Sequence, residues 1–300
     1  MTTKFVYKNY AQAELDRQYD QRTLVPDISE FTTRWTEVSE KARRTLAVEA
    51  NVIYGNDSNQ LMDIFGVGGA NRPIVLFFHG GAWRPVTTKD QSAYAALSFV
   101  GRGALFVAID FCAAPEFTLD KIVAQCADAV AFLYQNAALY GGDRDHMHVI
   151  GHSSGAHLAA MLATLDWRAG YGLPADVIKG LVAISGIYDL YPVRLSARND
   201  YLHLDAVASA RNSPSERLEF LHAPSVIAWG DGELDEFRRQ SQDFADAIST
   251  REKLMFAEEI SGRNHFEMTD ELGNGDSPLF KAAMDLIGLS AARPESRAKS

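Results

Sequence analysis

Two serines stand side by side between two glycines in Gly151-His152-Ser153-Ser154-Gly155. The five residues fit G-x-S-x-G with Ser153 at the centre, between an apolar run ending in "HVI" and the Ala- and Leu-rich run "AHLAAMLATL". A strand that folds back sharply into a helix needs glycine where side chains would collide, and it leaves the central serine on a strained turn. Ser153 is therefore the candidate nucleophile. The backbone N–H of Ser154 opens the helix, where negative charge is favoured, and is a candidate donor to an oxyanion. A Ser/Gly turn without chemistry would look the same locally, so the partners decide.

In this motif the partners follow the serine in the order acid, then histidine. His265, in "SGRNHFEM", comes after the last strand-like run and is the candidate base, taking the Ser153 proton and returning it to the leaving group. The acid is expected in Gly230-Asp231-Gly232-Glu233-Leu234-Asp235-Glu236, after the strand-like "SVIAW". Its task is to accept from Nδ1–H of His265, holding the tautomer and stabilising the imidazolium. Glu233 and Asp231 both fit, whereas Asp235 and Glu236 suit the first turn of the next helix. A second source of backbone donors is "FFHGGAW", in which Gly81 or Ala82 is placed to complete an oxyanion hole with Ser154. Trp83, Tyr188, Tyr191 and Phe266 are candidate aromatic walls for the substrate, with packing between cap and sheet as the plainer alternative.

No other group calls for a cofactor or metal. His146 and His148 alternate as on one face of a strand, but no second ligand pair accompanies them. His79 and His157 read as structural or close to the pocket. "GVGGAN" (66–71) lacks G-x-G-x-x-G and opens no helix, so it reads as a hairpin turn.

The elements that must carry these residues alternate. Strand-like runs lie at 46–54, 61–67, 73–80, 104–111, 147–152, 178–186, 225–231 and 252–260, and several are continuously apolar, as strands covered on both faces are. Helical segments are expected at about 88–101, 118–139, 154–165, 234–250 and 277–287. The pattern predicts one α/β domain over 1–300, with a mostly parallel eight-stranded sheet, helices on both faces and an antiparallel hairpin of the first two strands at one edge. Residues 1–45 form an N-terminal helical extension with helices at 9–22 and 28–45, residues 187–224 are long enough for a helical cap over the site, and 289–300 read as a disordered tail.

Bulk properties narrow the partners. A net charge of −10 over 300 residues argues against binding nucleic acid or an anionic membrane. The two cysteines, Cys112 and Cys126, provide no disulfide framework. No secretory h-region opens the chain and no apolar run spans a bilayer, so a cytoplasmic enzyme acting on a small amide or ester is the expectation. The oligomeric state is left open, a homodimer included.

Beyond these residues, the chain resembles the kynurenine formamidase (arylformamidase) branch of the α/β-hydrolase superfamily, close to the hormone-sensitive-lipase-like esterases. The resemblance runs through "ELDRQYD", "FHGGAW", "GHSSGAHLA", "SGIYDL", "ARNSP", "DEFRRQS" and "NHFE". It implies an α/β-hydrolase fold and cleavage of a formyl amide on an aromatic amine, with N-formylkynurenine as the family substrate and formate as a product. It carries the nucleophile onto Ser153 and the base onto His265. Counted back from "EFRRQS", the family's aspartate falls on Glu233. Ala82 stands where the animal enzymes tend to carry a larger aromatic residue, which leaves room beside the oxyanion loop. A carboxylesterase for short acyl esters uses the same acyl-enzyme route. A non-catalytic binding protein on this scaffold would have no need of the full Ser-acid-His set.

Overall fold

A computed structural model describes residues 4–290. The expected tail falls largely outside them, since only Leu289 and Ser290 of it are described. The strands are β1 (Val48–Ile53), β2 (Leu61–Phe65), β3 (Arg72–Phe78), β4 (Leu105–Ile109), β5 (Gly142–His152), β6 (Ile178–Ile184), β7 (Ser225–Gly230) and β8 (Leu254–Ile260). They form one sheet in the order β1-β2-β4-β3-β5-β6-β7-β8. β2 runs antiparallel to both β1 and β4, and the pairs from β4 to β8 are parallel.

Helices α1 (Gln12–Gln18) and α2 (Ser29–Thr45) precede the sheet, and α3 (Ala96–Gly101) and α4 (Leu119–Tyr140) flank β4 in sequence. α5 (Ser154–Ala163) and α6 (Trp167–Tyr171) separate β5 from β6. The long insertion holds α7 (Tyr191–Leu195), α8 (Asn199–Leu202), α9 (Ala206–Arg211) and a 3₁₀ stretch, Pro214–Phe220. α10 (Asp235–Ser249) follows β7, and α11 (Pro278–Ile287) closes the described chain.

The continuous apolar runs are explained by burial on both faces. Along β3, Ile74, Leu76 and Phe78 join the core that includes α4, α5 and α10, while Val75 and Phe77 join the core under α3 and α11. All five are fully buried. Each such side chain contributes about 1.5–3 kcal/mol relative to an exposed one.

Three expectations are corrected. "GVGGAN" is not a hairpin turn: β2 and β3 are not neighbours, because β4 lies between them, so the glycine-rich segment crosses over the end of β4. The helix expected at 88–101 is a 3₁₀ turn, Lys89–Gln91, followed by the separate α3. The helix expected at 9–22 likewise stops at Gln18 and resumes as a 3₁₀ turn, Gln21–Leu24. Its apolar positions are too few to bury a continuous face, and the break lets Gln18 and Gln21 reach α10.

Candidate active site

β5 ends in a turn whose shape follows from two missing side chains. A Cβ on Gly151 would lie 2.1 Å from the Gly155 carbonyl oxygen, and one on Gly155 would lie 2.0 Å from that of Phe78. With glycine at both positions α5 can start directly over the strand ends. Between them Ser153 takes φ 59° and ψ −125°, a conformation that costs a non-glycine residue about 1–3 kcal/mol. Its N–H donates to Ile184 O at 2.9 Å, tying the turn to β6.

Ser153 Oγ lies 2.9 Å from His265 Nε2, and His265 Nδ1 lies 2.8 Å from Glu233 Oε2. A carboxylate only accepts, so Nδ1 carries the proton and Nε2 is free to accept from the serine hydroxyl. Glu233 is buried, and its Oε1 accepts from Ser185 Oγ at 2.5 Å and from Gly230 N–H at 2.8 Å. Asp231 points elsewhere. It accepts from Ser261 Oγ and Gly262 N–H, which hold its carboxyl below the usual carboxylate range and brace the turn after β8. Of the two carboxylates that fit by position, the structure brings to the histidine Glu233, the one on which the count back from "EFRRQS" falls.

The histidine loop is held from both sides. Asn264 Oδ1 accepts from the N–H groups of Phe266 and Glu267, while Glu267 Oε2 accepts from Asn264 N–H. This reciprocal cap explains "NHFE" physically: the Asn and Glu fix the backbone around His265. From below, His152 Nε2–H donates to the His265 carbonyl at 2.8 Å, with the two rings 4.7 Å apart. Burial, reinforced by His265, holds His152 well below the usual histidine range, so it sits neutral as a donor.

Above the serine, Gly80, Gly81 and Ala82 border the same space, with Gly81 at φ 124° and Ala82 at φ 55°. A Cβ on Gly80 would stand 3.2 Å from Ser153 Cβ. The N–H groups of Gly81, Ala82 and Ser154 have no acceptor among the described residues.

Gly81 and Ala82, with Ser153 and His265, line a cavity of about 720 Å³. The cap insertion was expected to cover it, yet supplies only Ala197, Arg198 and Tyr201 to its wall. Much of the rest comes from the N-terminal extension, including Tyr19, Gln21, Thr32 and Trp35. The two segments are joined: Gln12 Nε2 donates to Leu195 O, Ala197 N–H to Asp16, and Arg198 to Tyr19 O.

The four aromatic candidates separate. Phe266 lines the cavity and packs on Phe31 and Trp35 of α2. Trp83 is a first correction: it is buried outside the cavity wall, where Nε1–H donates to His157 Nδ1 while His157 Nε2–H donates to Asn212 O. Tyr188 is a correction: it is buried, stacks on Phe244 at 4.0 Å and does not reach the cavity. Tyr191 is another: it is 48% exposed beside Tyr7, outside the wall. Aromatic type was the only signal for these four, and it does not distinguish core from pocket. His148 is buried with neither ring nitrogen bonded, its ring 4.9 Å from His146. Among the described residues no group of three or more His, Cys, Asp or Glu side chains could hold a metal ion.

Sequence reasoning missed His152, Ser185, Gln18 and Gln21. His152 occupies the variable position of the motif. Ser185 follows β6 directly, at φ 54°, and bonds Glu233. Gln21 Oε1 accepts from Leu234 N–H and Gln18 Oε1 from Glu236 N–H, so two glutamines of the extension satisfy the open start of α10 beside Glu233. Nothing local marks either residue for that task.

A family model described as BD-FAE matches residues 62–204. The kynurenine formamidase of Salmo salar is 30% identical over 298 residues, 95% of this chain and 99% of that protein. That of Danio rerio is 30% identical over 297 residues, with the same two shares. Among solved structures, a candidate thioesterase of Silicibacter sp. superposes with a TM-score of 0.78 at 25% identity, covering 90% of this chain and 98% of that one. With full-length identity at this level, the chain belongs to the kynurenine formamidase family of α/β-hydrolases, and it is a hydrolase.

Proposed function

We propose that the protein hydrolyses aryl formamides of the N-formylkynurenine type through a formyl-serine intermediate. One observation carries the reading: a two-bond chain, Glu233 to His265 to Ser153, ends at the floor of a cavity beside backbone donors that have no acceptor.

Ser153 Oγ attacks the formyl carbon while His265 Nε2 takes its proton. The carbonyl oxygen becomes an oxyanion, held by Ser154 N–H and by Gly81 or Ala82 N–H. One such donor is worth about 3–4 kcal/mol in the transition state. His265 then protonates the departing aromatic amine, and the C–N bond breaks. Water, deprotonated by His265, releases formate and restores Ser153. Glu233 keeps Nδ1 protonated and balances the imidazolium at both proton transfers, and His152 positions the histidine through its backbone carbonyl. Phe266 and Trp35 supply aromatic wall for the aryl group.

The test is a parallel panel of N-formylkynurenine, formanilides and short-chain nitrophenyl esters. Formamides are expected to show the highest kcat/KM. A strong preference for esters, with formamides barely turned over, would make the protein a carboxylesterase.

A further inference from the structure

The loop over Ser153 runs against its own backbone preference. Arg84 N–H donates to Gly81 O at 3.0 Å, closing a four-residue turn whose central residues, Ala82 and Trp83, take φ 55° and 58°. Turns with positive φ at both central positions favour Asn and Gly. An alanine, and above all a bulky tryptophan, is strained there. Gly81, at φ 124°, extends the run to three residues. A strained loop keeps its shape only where its surroundings over-determine it. This one carries the N–H groups of Gly81 and Ala82, which have no acceptor among the described residues.

One anchor is backbone: Ala114 N–H donates to Trp83 O at 2.7 Å. The other is the indole. Trp83 is buried, and its Nε1–H donates to His157 Nδ1 at 3.2 Å, with the rings edge to face at 5.1 Å. His157 is fully buried one turn into α5, where its own N–H donates to Ser153 O at 3.2 Å. One side-chain bond therefore ties together the two sources of oxyanion donors, the start of α5 and the loop after β3. The far ring nitrogen, Nε2–H, donates to Asn212 O at 2.8 Å. Asn212 Nδ2 donates in turn to Asp120 on α4 and to Ala208 O on α9. A carbonyl only accepts, so Nε2 keeps the proton and Nδ1 its lone pair. Burial pulls His157 down to about 4, which holds it neutral in that tautomer.

We propose that His157 is a positioning residue: it holds the Gly81–Ala82 half of the oxyanion hole in register with Ser153 and ties that half to the cap insertion through Asn212. The inference rests on the acyl-transfer reading of Ser153. Without the acceptor on His157, the Trp83 N–H is left buried and unsatisfied, and the turn can relax toward negative φ. Its N–H groups then turn away from the position of the oxyanion. Charge appears on that oxygen only in the transition state, so the loss falls on kcat and leaves KM almost unchanged.

The test measures kcat and KM on the full chain for a formanilide and for 4-nitrophenyl acetate. Alongside them it measures inhibition by 2,2,2-trifluoroacetophenone, whose adduct with Ser153 carries the oxyanion. Trp83→Phe keeps an aromatic ring and deletes the N–H. His157→Gln keeps an N–H for Asn212 O and deletes the acceptor at Nδ1. Each should lower kcat by roughly ten- to hundredfold, weaken the ketone by a similar factor and move KM by less than about threefold. The double variant should be little worse than either single one, because both remove the same bond. His157→Asn, whose Oδ1 falls near the Nδ1 position, should recover part of kcat. Should His157→Gln fail to fold by circular dichroism, Trp83→Phe carries the same prediction. Turnover of the ester but of no formamide would sink the proposed function, and the ester kinetics would still decide the role of His157. That role is overturned if the folded variants keep kcat and ketone affinity close to wild type, whatever their thermal midpoint, or if kcat falls while the ketone binds as before.

Discussion

The turn after β5 and the turn after β7 each deliver one member of the same hydrogen-bonded chain, but they are held by different means. The serine turn is shaped by contacts within one β-turn-α unit and the adjoining strand: two glycines remove the atoms that would collide, and the chain has few other ways to pass. The acid turn owes one feature to local sterics, since a Cβ on Gly230 would fall 2.1 Å from the Arg263 carbonyl. Otherwise Glu233 is held by Ser185, just after β6, while Gln18 and Gln21 cap the adjoining helix from more than 200 residues upstream. A nucleophile can be positioned by a local motif, whereas a buried carboxylate must have its lone pairs satisfied from whatever the fold brings near.

Ser153→Ala should produce the largest effect, a loss of about three orders of magnitude or more in kcat/KM with the fold intact, because one oxygen is removed and no core volume. Ser154→Ala keeps the backbone N–H and should stay near wild type. Fluorophosphonate labelling of both variants checks this, and an equal loss in the two would break the assignment of the turn.

Glu233→Gln comes next, at about 10³- to 10⁴-fold, since an amide presents an N–H to His265 Nδ1 and favours the wrong tautomer. Asp231→Asn should cost little, because its carboxylate binds only Ser261 and Gly262. Kinetics of the pair, with circular dichroism as the folding control, would reverse the roles of the two carboxylates if Asp231→Asn were the crippled variant.

Ser185→Ala removes a hydrogen bond to a charged group and should lower kcat by roughly tenfold, with KM little changed. A profile against pH belongs with it. An acid limb shifted from wild type would show that the carboxylate's solvation feeds through to His265, and an unshifted limb would limit Ser185 to a packing role.

The smallest effect should come from Gln18→Ala and Gln21→Ala. Each leaves one helix-start N–H without its acceptor, worth about 1 kcal/mol. Their combination should lower kcat a few-fold and the thermal midpoint by several degrees. If the double variant matched wild type in both, the long-range contrast between the two turns would lose its support.

Most of the strand and helix positions were legible because each run is long, apolar and ends in a turn residue. β3 and β6 read as buried strands for the same reason that they are central in the sheet. The hairpin reading of "GVGGAN" failed because a turn-forming composition says that the chain bends, not which strand it then pairs with. The aromatic wall was misread at Trp83, Tyr188 and Tyr191 because ring chemistry serves the core, the pocket and the surface alike.

What the sequence by itself determined is the set whose geometry follows from near neighbours: the Gly-flanked serine turn, the glycine loop after β3, the order of the histidine and acid loops, and the parallel sheet. Steric exclusion and hydrophobic period act over a few residues and can be read there. Position in the loop left Glu233 and Asp231 both open, and only the family resemblance favoured Glu233; tertiary structure alone decided that Ser185 and His152 hold the pair and that the N-terminal extension walls much of the cavity. Each of those outcomes depends on which buried polar groups find partners across the fold, a global condition that no local window of residues contains.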